Sequence, residues 1–160
     1  MQVLVMYYSK SGNTRQLAEA VAKGVQDVQG VTCVVKAAHD VTKDDFLNSQ
    51  GIIAGSPVYF GTMAAELKSV FDRFVGLRSK MGGKVGAAFA TSGDASGGKE
   101  TTLLSILQAM LINGMIIAGD PLDATGHYGT SCVGAPDSQT QANAAKLGKR
   151  VAELVLKLYA

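Results

Sequence analysis

Two kinds of hydrophobic pattern alternate along this chain. Short, nearly continuous apolar runs at residues 3–6, 31–36, 51–56, 85–91 and 115–118 predict five strands, several of them buried on both faces. Longer stretches in which apolar residues recur every three or four positions predict helices between these runs and after the last one. Pro57 follows the third run directly and is expected to end that strand.

The helical stretches begin near Leu17, after residue 63 and after residue 98, and the last covers about residues 139–158. The helix after residue 98 is expected to point five apolar side chains inward: Leu103, Leu104, Leu107, Met110 and Leu111. Residues 120–138 are rich in Gly and show no periodicity, and loops of that length in compact domains are often functional.

Strands that alternate with helices predict an α/β fold. We expect one domain over residues 1–160, a three-layer sandwich whose five-stranded parallel sheet carries helices on both faces. Ligands in such folds bind beyond the carboxyl ends of the strands. The loops at residues 9–14, 57–63, 92–98 and 125–133 are expected to meet at that edge.

The loop after the first strand is crowded with hydrogen-bond donors. It reads Y-Y-S-K-S-G-N-T-R and contains three hydroxyl side chains, an amide and a glycine directly before a predicted helix. The exposed N-H groups and the dipole of a helix start favour an anion, most often a phosphate. An ordinary strand-to-helix turn with Ser11 or Asn13 as the N-cap is the alternative.

Composition narrows the class of partner. The net charge is +2, from 15 Lys and Arg against 13 Asp and Glu, and the basic residues are dispersed, which disfavours a nucleic-acid partner. The chain has no apolar run of membrane-spanning length and no signal-peptide pattern, so we expect a cytoplasmic protein without a membrane partner. Cys33 and Cys132 are far apart in the sequence and are predicted to be free thiols. No metal site is expected.

The later loops indicate a flat ligand. Gly93, Gly97 and Gly98 would let backbone approach a heterocycle, and Tyr59 and Phe60 could stack on it or close one edge. The alternative for either loop alone is that the aromatic residues pack in the core and the glycines only form turns. Convergence of three loops on one sheet edge favours the ligand.

Four motifs, in order, resemble those of one family. Y-S-K-S-G-N-T resembles the phosphate loop of flavodoxin-like proteins, which bind FMN, and G-S-P-V-Y-F-G-T-M is similar to their second flavin loop. T-S-G-D-A-S-G-G and H-Y-G-T-S-C-V-G are similar to later loops of the WrbA-type NAD(P)H:quinone oxidoreductase branch. The resemblance covers nearly the whole chain and implies the flavodoxin-like strand order 2-1-3-4-5.

The resemblance also implies roles for individual residues. His127 would lie near the open face of the flavin and contact a second substrate or supply a proton. Residues of the first three loops would bind FMN, namely Ser9, Lys10, Ser11, Gly12, Asn13, Thr14, Pro57, Val58, Tyr59, Phe60, Gly61, Thr91, Ser92, Gly93, Asp94 and Gly97.

Two functions follow from the resemblance. The first is an enzyme that uses FMN to pass two electrons from NADH or NADPH to a quinone. The second is a small flavodoxin that carries single electrons between redox-protein partners. Such carriers tend to be strongly acidic, so the slightly basic charge of this chain favours the enzyme. A homo-oligomer is compatible with the resemblance, although the segment between the second and third strands is shorter than in the tetrameric branch.

Overall fold

A computed structural model describes residues 1–160 and shows a parallel sheet between two layers of helices. The strands and α-helices are, in chain order, β1 (Gln2–Tyr7), α1 (Asn13–Gln26), β2 (Thr32–Ala37), α2 (Lys43–Asn48), β3 (Gly51–Tyr59), β4 (Thr62–Met63), α3 (Ala65–Arg73), β5 (Val85–Ser92), α4 (Lys99–Ile112), β6 (Ile116–Ile117), β7 (Thr130–Val133) and α5 (Ser138–Tyr159). The chain also forms two short 3-10 helices, Ala38–Asp40 and Val75–Lys80.

The parallel strands follow the order β2-β1-β3-β5, and both β6 and β7 pair with the outer edge of β5. Strand β6 pairs with the start of β5 at Val85 and Gly86, and β7 pairs with its end from Phe89 to Ser92. The predicted five-position order is therefore confirmed, but its last position is divided between two short strands. Residues 120–138 were expected to lack regular structure, which is wrong because they contain β7.

Pro57 does not end the third strand, contrary to expectation. Strand β3 continues to Tyr59 and then turns back into β4 as a short antiparallel hairpin. Strand β1 pairs with β3 only as far as Gly55, so at Pro57 one side of β3 has no neighbouring strand. A proline that lacks an N-H is tolerated at such an open edge.

The apolar core lies in two layers, one on each face of the sheet. Helices α1 and α5 cover one face and touch closely, since a Cβ at Gly24 or Gly148 would overlap a backbone carbonyl of the opposite helix. Helices α2, α3 and α4 cover the other face. None of the five helices combines the length and the apolar character that crossing a membrane requires.

The orientation of α4 differs from the prediction. Leu103, Leu107 and Met110 are buried as expected, and Ile106 is buried with them. Leu104 and Leu111 were expected inside but are 38% and 58% exposed. Because α4 is apolar nearly all round, its sequence pattern could not distinguish the inner face from the outer one.

Candidate ligand-binding groove

The carboxyl ends of β1, β3, β5 and β7 surround an open groove of about 600 Å³. This volume lies within the range that small-molecule and cofactor sites occupy. Three of the four predicted loops line the groove. The lining residues are Lys10, Ser11, Asn13, Thr14, Pro57, Val58, Tyr59, Thr91, Ser92, Gly93 and Gly134.

The loop between β1 and α1 leaves the start of α1 open. Gly12 is the N-cap residue, with φ of 96°, and no side chain caps the helix, so the alternative in which Ser11 or Asn13 is the N-cap is wrong. The Ser9 hydroxyl instead accepts a hydrogen bond from the Gly12 N-H at 3.1 Å. No acidic side chain lies in the first turn of α1. The helix start therefore keeps its donors and its positive dipole end for an external anion.

Helix α5 shows what a capped start looks like in the same fold. The Asp137 carboxylate accepts a hydrogen bond from the Thr140 N-H at 2.7 Å. Helices α3 and α4 also lack a side-chain cap, but each carries a glutamate in its first turn. Helix α1 has neither a side-chain cap nor an acidic residue in its first turn.

Thr14 connects the first loop to the third. Its hydroxyl lies 2.7 Å from the Thr91 hydroxyl at the end of β5, and the side chain is only 2% exposed. The bond fixes the start of α1 relative to the strand that leads to Ser92 and Gly93. Both hydroxyls lie at the floor of the groove.

The second predicted loop is the β3–β4 hairpin. Phe60 and Gly61 form its two-residue turn with φ of 51° and 78°. Gly98, at the start of α4, approaches so closely that a Cβ there would lie 2.9 Å from the Gly61 Cα. The Phe60 side chain is fully exposed at the tip, whereas Tyr59 lines the groove.

Tyr8 packs against Tyr59 at the rim. The two rings meet edge to face, with centroids 6.2 Å apart and an angle of 74° between planes. Interaction with the Glu66 carboxylate raises the pKa of Tyr8 to about 12, so this phenol stays protonated at neutral pH. Tyr8 therefore limits the movement of Tyr59 without adding charge.

The loop after β5 is held by its own polar groups. The Ser92 hydroxyl donates to the Asp94 carbonyl at 2.7 Å, and the Asp94 carboxylate accepts from the Ser96 N-H at 3.0 Å. Gly97 packs directly on the Ser92 hydroxyl. Gly93 is different, because a Cβ there would meet no atom within 4 Å. The space above Gly93 is therefore free for a ligand.

Gly134 was not predicted as a site residue. It follows β7, and its N-H donates to the Ser92 carbonyl at 2.8 Å, which places it on the groove wall. The sequence signal was the motif H-Y-G-T-S-C-V-G, which ends at Gly134 and contains the short run T-S-C-V. That run was too brief to identify a strand without its partner β5.

Some predicted residues do not line the groove. Ser9 and Gly12 line a neighbouring cavity of about 410 Å³, and Phe60, Gly61, Asp94 and Gly97 line neither cavity. His127 lies farther along the edge, in a separate cavity of about 340 Å³. That cavity also contains Asp120, whose pKa burial raises.

Cys132 lies beside Thr91 in the sheet, near the groove. It is a free, buried thiol, and burial raises its pKa, so the thiol is protonated and poorly nucleophilic at neutral pH. Cys33 is also free, as predicted. No group of His, Cys, Asp and Glu is arranged to hold a metal ion.

The groove has the donors for a phosphate at one end and the space for a flat ring at the other. Hydroxyls, an amide and an uncapped helix start lie at the first end, and Tyr59 and Gly93 bound the second. FMN has this combination of groups, and the residues present fit it. The fold and the groove define an α/β protein of the flavin mononucleotide-binding class.

Comparison with known proteins agrees with this class. Residues 1–128 match the family described as NADPH-dependent FMN reductase. A protein of Gluconacetobacter diazotrophicus named NAD(P)H dehydrogenase (quinone) is 34% identical, over 99% of this chain and 99% of its own length. A protein of Aquifex aeolicus named flavodoxin is 35% identical, over 96% of this chain and 86% of its own length.

A solved structure of a flavodoxin from the domain Archaea is 27% identical and superposes with a TM-score of 0.81, covering 98% of this chain and 99% of that one. The chain belongs to the NADPH-dependent FMN reductase family and has the flavodoxin-like fold. The predictions of a flavodoxin-like FMN protein and of an oxidoreductase are thereby confirmed.

Proposed function

We propose that this protein uses FMN to transfer two electrons from NADH or NADPH to a quinone. The observation that carries the proposal is the groove itself, in which an uncapped helix start faces one end and unfilled space above Gly93 lies at the other. The relative named NAD(P)H dehydrogenase (quinone), matched over 99% of both chains, supports the choice of electron donor and acceptor.

The first loop would bind the phosphate of FMN. Ser11 and Thr14 can donate hydroxyl hydrogens, Asn13 an amide hydrogen, and the first turn of α1 its backbone N-H groups. Lys10 is exposed at the same end and adds a positive charge. Several donors on one dianionic group give affinity and fix its position.

The other loops would hold the isoalloxazine ring. Pro57, Val58 and Tyr59 form one wall, and Thr91, Ser92 and Gly93 form the opposite one. The hairpin contact between Gly61 and Gly98 keeps these walls at a set separation. The ring would therefore keep one position while a second flat molecule approaches from the open side.

When bound, FMN supplies the electron-transfer chemistry by accepting a hydride equivalent and passing two electrons onward. The chain contributes orientation, because Tyr59 and Gly93 restrict where a nicotinamide or quinone can stack. Apart from Lys10, the groove lining contains no Lys, Arg, His, Asp or Glu. The hydride therefore comes from the nicotinamide, and the accompanying proton comes from solvent or from a group outside the lining such as His127.

His127 keeps its proposed role as a contact for the second substrate. It is exposed on the loop between β6 and β7 and does not line the groove. Its replacement by Gln should therefore leave the FMN dissociation constant unchanged. If His127 supplies a proton, quinone turnover should fall by at least about tenfold; unchanged turnover would remove His127 from the reaction.

A one-electron carrier is the second candidate, favoured by the 35% identity to the Aquifex aeolicus flavodoxin. Against it, the chain has a net charge of +2, whereas acidic surfaces steer such carriers to basic partners.

Anaerobic mixing separates the two functions. NADH or NADPH is added to the FMN-loaded protein in a stopped-flow spectrometer, and the flavin absorbance near its visible maximum is followed. The enzyme should bleach rapidly and recover its colour when benzoquinone is added. Each donor is tested separately, which also gives the preference between NADH and NADPH.

The same protein is then titrated with a chemical reductant. A flavin that neither NADH nor NADPH reduces, and that the chemical reductant reduces in two separate one-electron steps, would support the one-electron carrier. The same result would contradict the quinone-reducing enzyme. A protein that does not bind FMN at all would contradict both functions. Free FMN at the same concentration is the control for uncatalysed reduction.

A further inference from the structure

The ring end of the groove offers an uncharged surface to a second flat molecule. Pro57, Val58 and Tyr59 form one wall, Gly93 lies on the other, and none of these residues carries a charge. Phe60 continues this surface outward, since its side chain is fully exposed at the tip of the hairpin. A molecule that stacks at this end therefore meets aromatic and aliphatic groups.

The cations of this edge lie away from that surface. Lys10, the one charged residue of the groove lining, belongs to the first loop, where it would face the phosphate of FMN. Lys99 and His127 line the separate cavity of about 340 Å³, whose lining also contains three carboxylates. Arg15 and His39 line the cavity beside the first loop, and each lies within 3.3 Å of a neighbouring carboxylate. An anionic group at the ring end would therefore find no free cation beside it.

A carboxylate, that of Glu66, stands beside this wall instead. It is exposed in the first turn of α3 and belongs to none of the ion pairs in the chain. It interacts with the Tyr8 hydroxyl, and the Tyr8 ring packs edge to face on Tyr59 with centroids 6.2 Å apart. The two tyrosines thus connect a free negative charge to the surface on which the second substrate would stack.

We propose that the second substrate of the groove is an uncharged quinone, and that Glu66, acting through the Tyr8–Tyr59 pair, selects it against quinones that carry an anionic group. This inference rests on the proposed function and adds the class of acceptor to it. An anionic substituent would give up water without gaining a cation, and it would approach both the Glu66 carboxylate and the phosphate of FMN. An uncharged ring of the same size meets neither cost.

The exposure of Glu66 sets the size of the selection. A single charge at a hydrated rim changes the affinity for a charged ligand by about three- to tenfold. The positive start of α3 offsets part of this charge. Because Glu66 is exposed, its contribution should also decrease as the ionic strength rises.

Binding to the oxidised, FMN-loaded protein tests the selection without turnover. Naphthoquinone and naphthoquinone sulfonate are titrated separately, and the change in flavin absorbance gives a dissociation constant for each. The unmodified protein should bind the sulfonate at least about tenfold more weakly. Glu66→Gln should reduce this ratio by about threefold or more, and Tyr59→Lys, which places a cation in the wall, should bring it to about one or below. Comparison between variants cancels the intrinsic difference between the two quinones.

Glu153→Gln is the matched control for the loss of a carboxylate. Glu153 is exposed on α5, in the segment where Val151 and Val155 pack against Gly51 at the amino-terminal start of β3. This position is at the sheet edge opposite the groove, so the ratio should stay as in the unmodified protein. Tyr59→Phe keeps the wall uncharged and should keep the preference for the uncharged quinone. Flavin content and circular dichroism verify that the variants fold.

The outcomes separate this inference from the proposed function. A protein that binds FMN but reduces no quinone in the presence of NADH or NADPH would contradict the proposed function, and the binding ratio would then decide the selection by itself. A lower ratio for Glu66→Gln but not for Glu153→Gln supports the selection. Equal binding of both quinones by the unmodified protein, no binding of naphthoquinone, or the same ratio in Glu66→Gln and the unmodified protein would overturn it.

Discussion

Thr14 offers the sharpest test of the proposed phosphate site. A dianionic phosphate only accepts hydrogen bonds, so the Thr14 hydroxyl must donate to it, and the Thr91 hydroxyl 2.7 Å away must then donate to Thr14. Thr14→Val removes the hydroxyl and keeps the side-chain shape. A hydrogen bond to a charged group is worth about 1.5–3 kcal/mol, so FMN should bind roughly 10- to 100-fold more weakly.

Riboflavin separates this effect from a general disturbance of the groove. It has the same ring system without the phosphate, so its affinity for Thr14→Val should change by less than about threefold. Both flavins are titrated into apoprotein and their fluorescence quenching is measured. Thr14→Ser retains a hydroxyl and is the matched control. Equal weakening of FMN and riboflavin, or no weakening of either, would refute the placement of Thr14 at the phosphate.

The same substitution also tests the buried contact in the apoprotein. Thr14→Val leaves the Thr91 hydroxyl without its partner in a site that is 5% exposed, which should cost about 1–3 kcal/mol in the free energy of unfolding. Adding Thr91→Val removes the unpaired hydroxyl and should restore part of that loss. A double variant that is no more stable than Thr14→Val alone would contradict this explanation.

Two further predictions use positions with a clear local cause. Gly93→Ala should leave apoprotein stability within about 0.5 kcal/mol, because no atom lies within 4 Å, yet weaken FMN and riboflavin equally; unchanged affinities would show that the ring does not cover Gly93. Burial opposes the charged form of Asp45, but hydrogen bonds from Lys36 and Thr42 outweigh it and lower its pKa. Asp45→Asn should cost about 1 kcal/mol in urea unfolding at neutral pH. Since the folded pKa of Asp45 is depressed, that difference should shrink as pH falls below about 4.

Local chemistry explains why much of the site could be predicted. The first loop places its hydroxyls, amide and helix start within a few consecutive residues, so the anion site needs no distant partner to be recognised. Tyr59 and Gly93 each follow an apolar run, and the carboxyl ends of parallel strands meet at one edge. The groove lining at these three loops therefore agrees with the prediction.

The misplaced features all depend on contacts between distant segments. Strand β7 and Gly134 exist as groove elements only because β5 offers a free edge from Phe89 to Ser92. Pro57 remains in a strand because β1 ends before reaching it. His127 lies in a separate cavity because it belongs to the loop between β6 and β7, which lies outside the sheet.

The sequence alone determined the alternation of strands and helices, the parallel sheet and the donor-rich first loop, since periodicity and local donors act over a few residues. Only the tertiary structure decided which face of α4 is buried, because that helix is apolar nearly all round and packing against β5 selects Leu103 over Leu104. Which side chains are buried depends on how the helices and the sheet pack together. A helix sequence without one apolar and one polar face does not indicate which side will be buried.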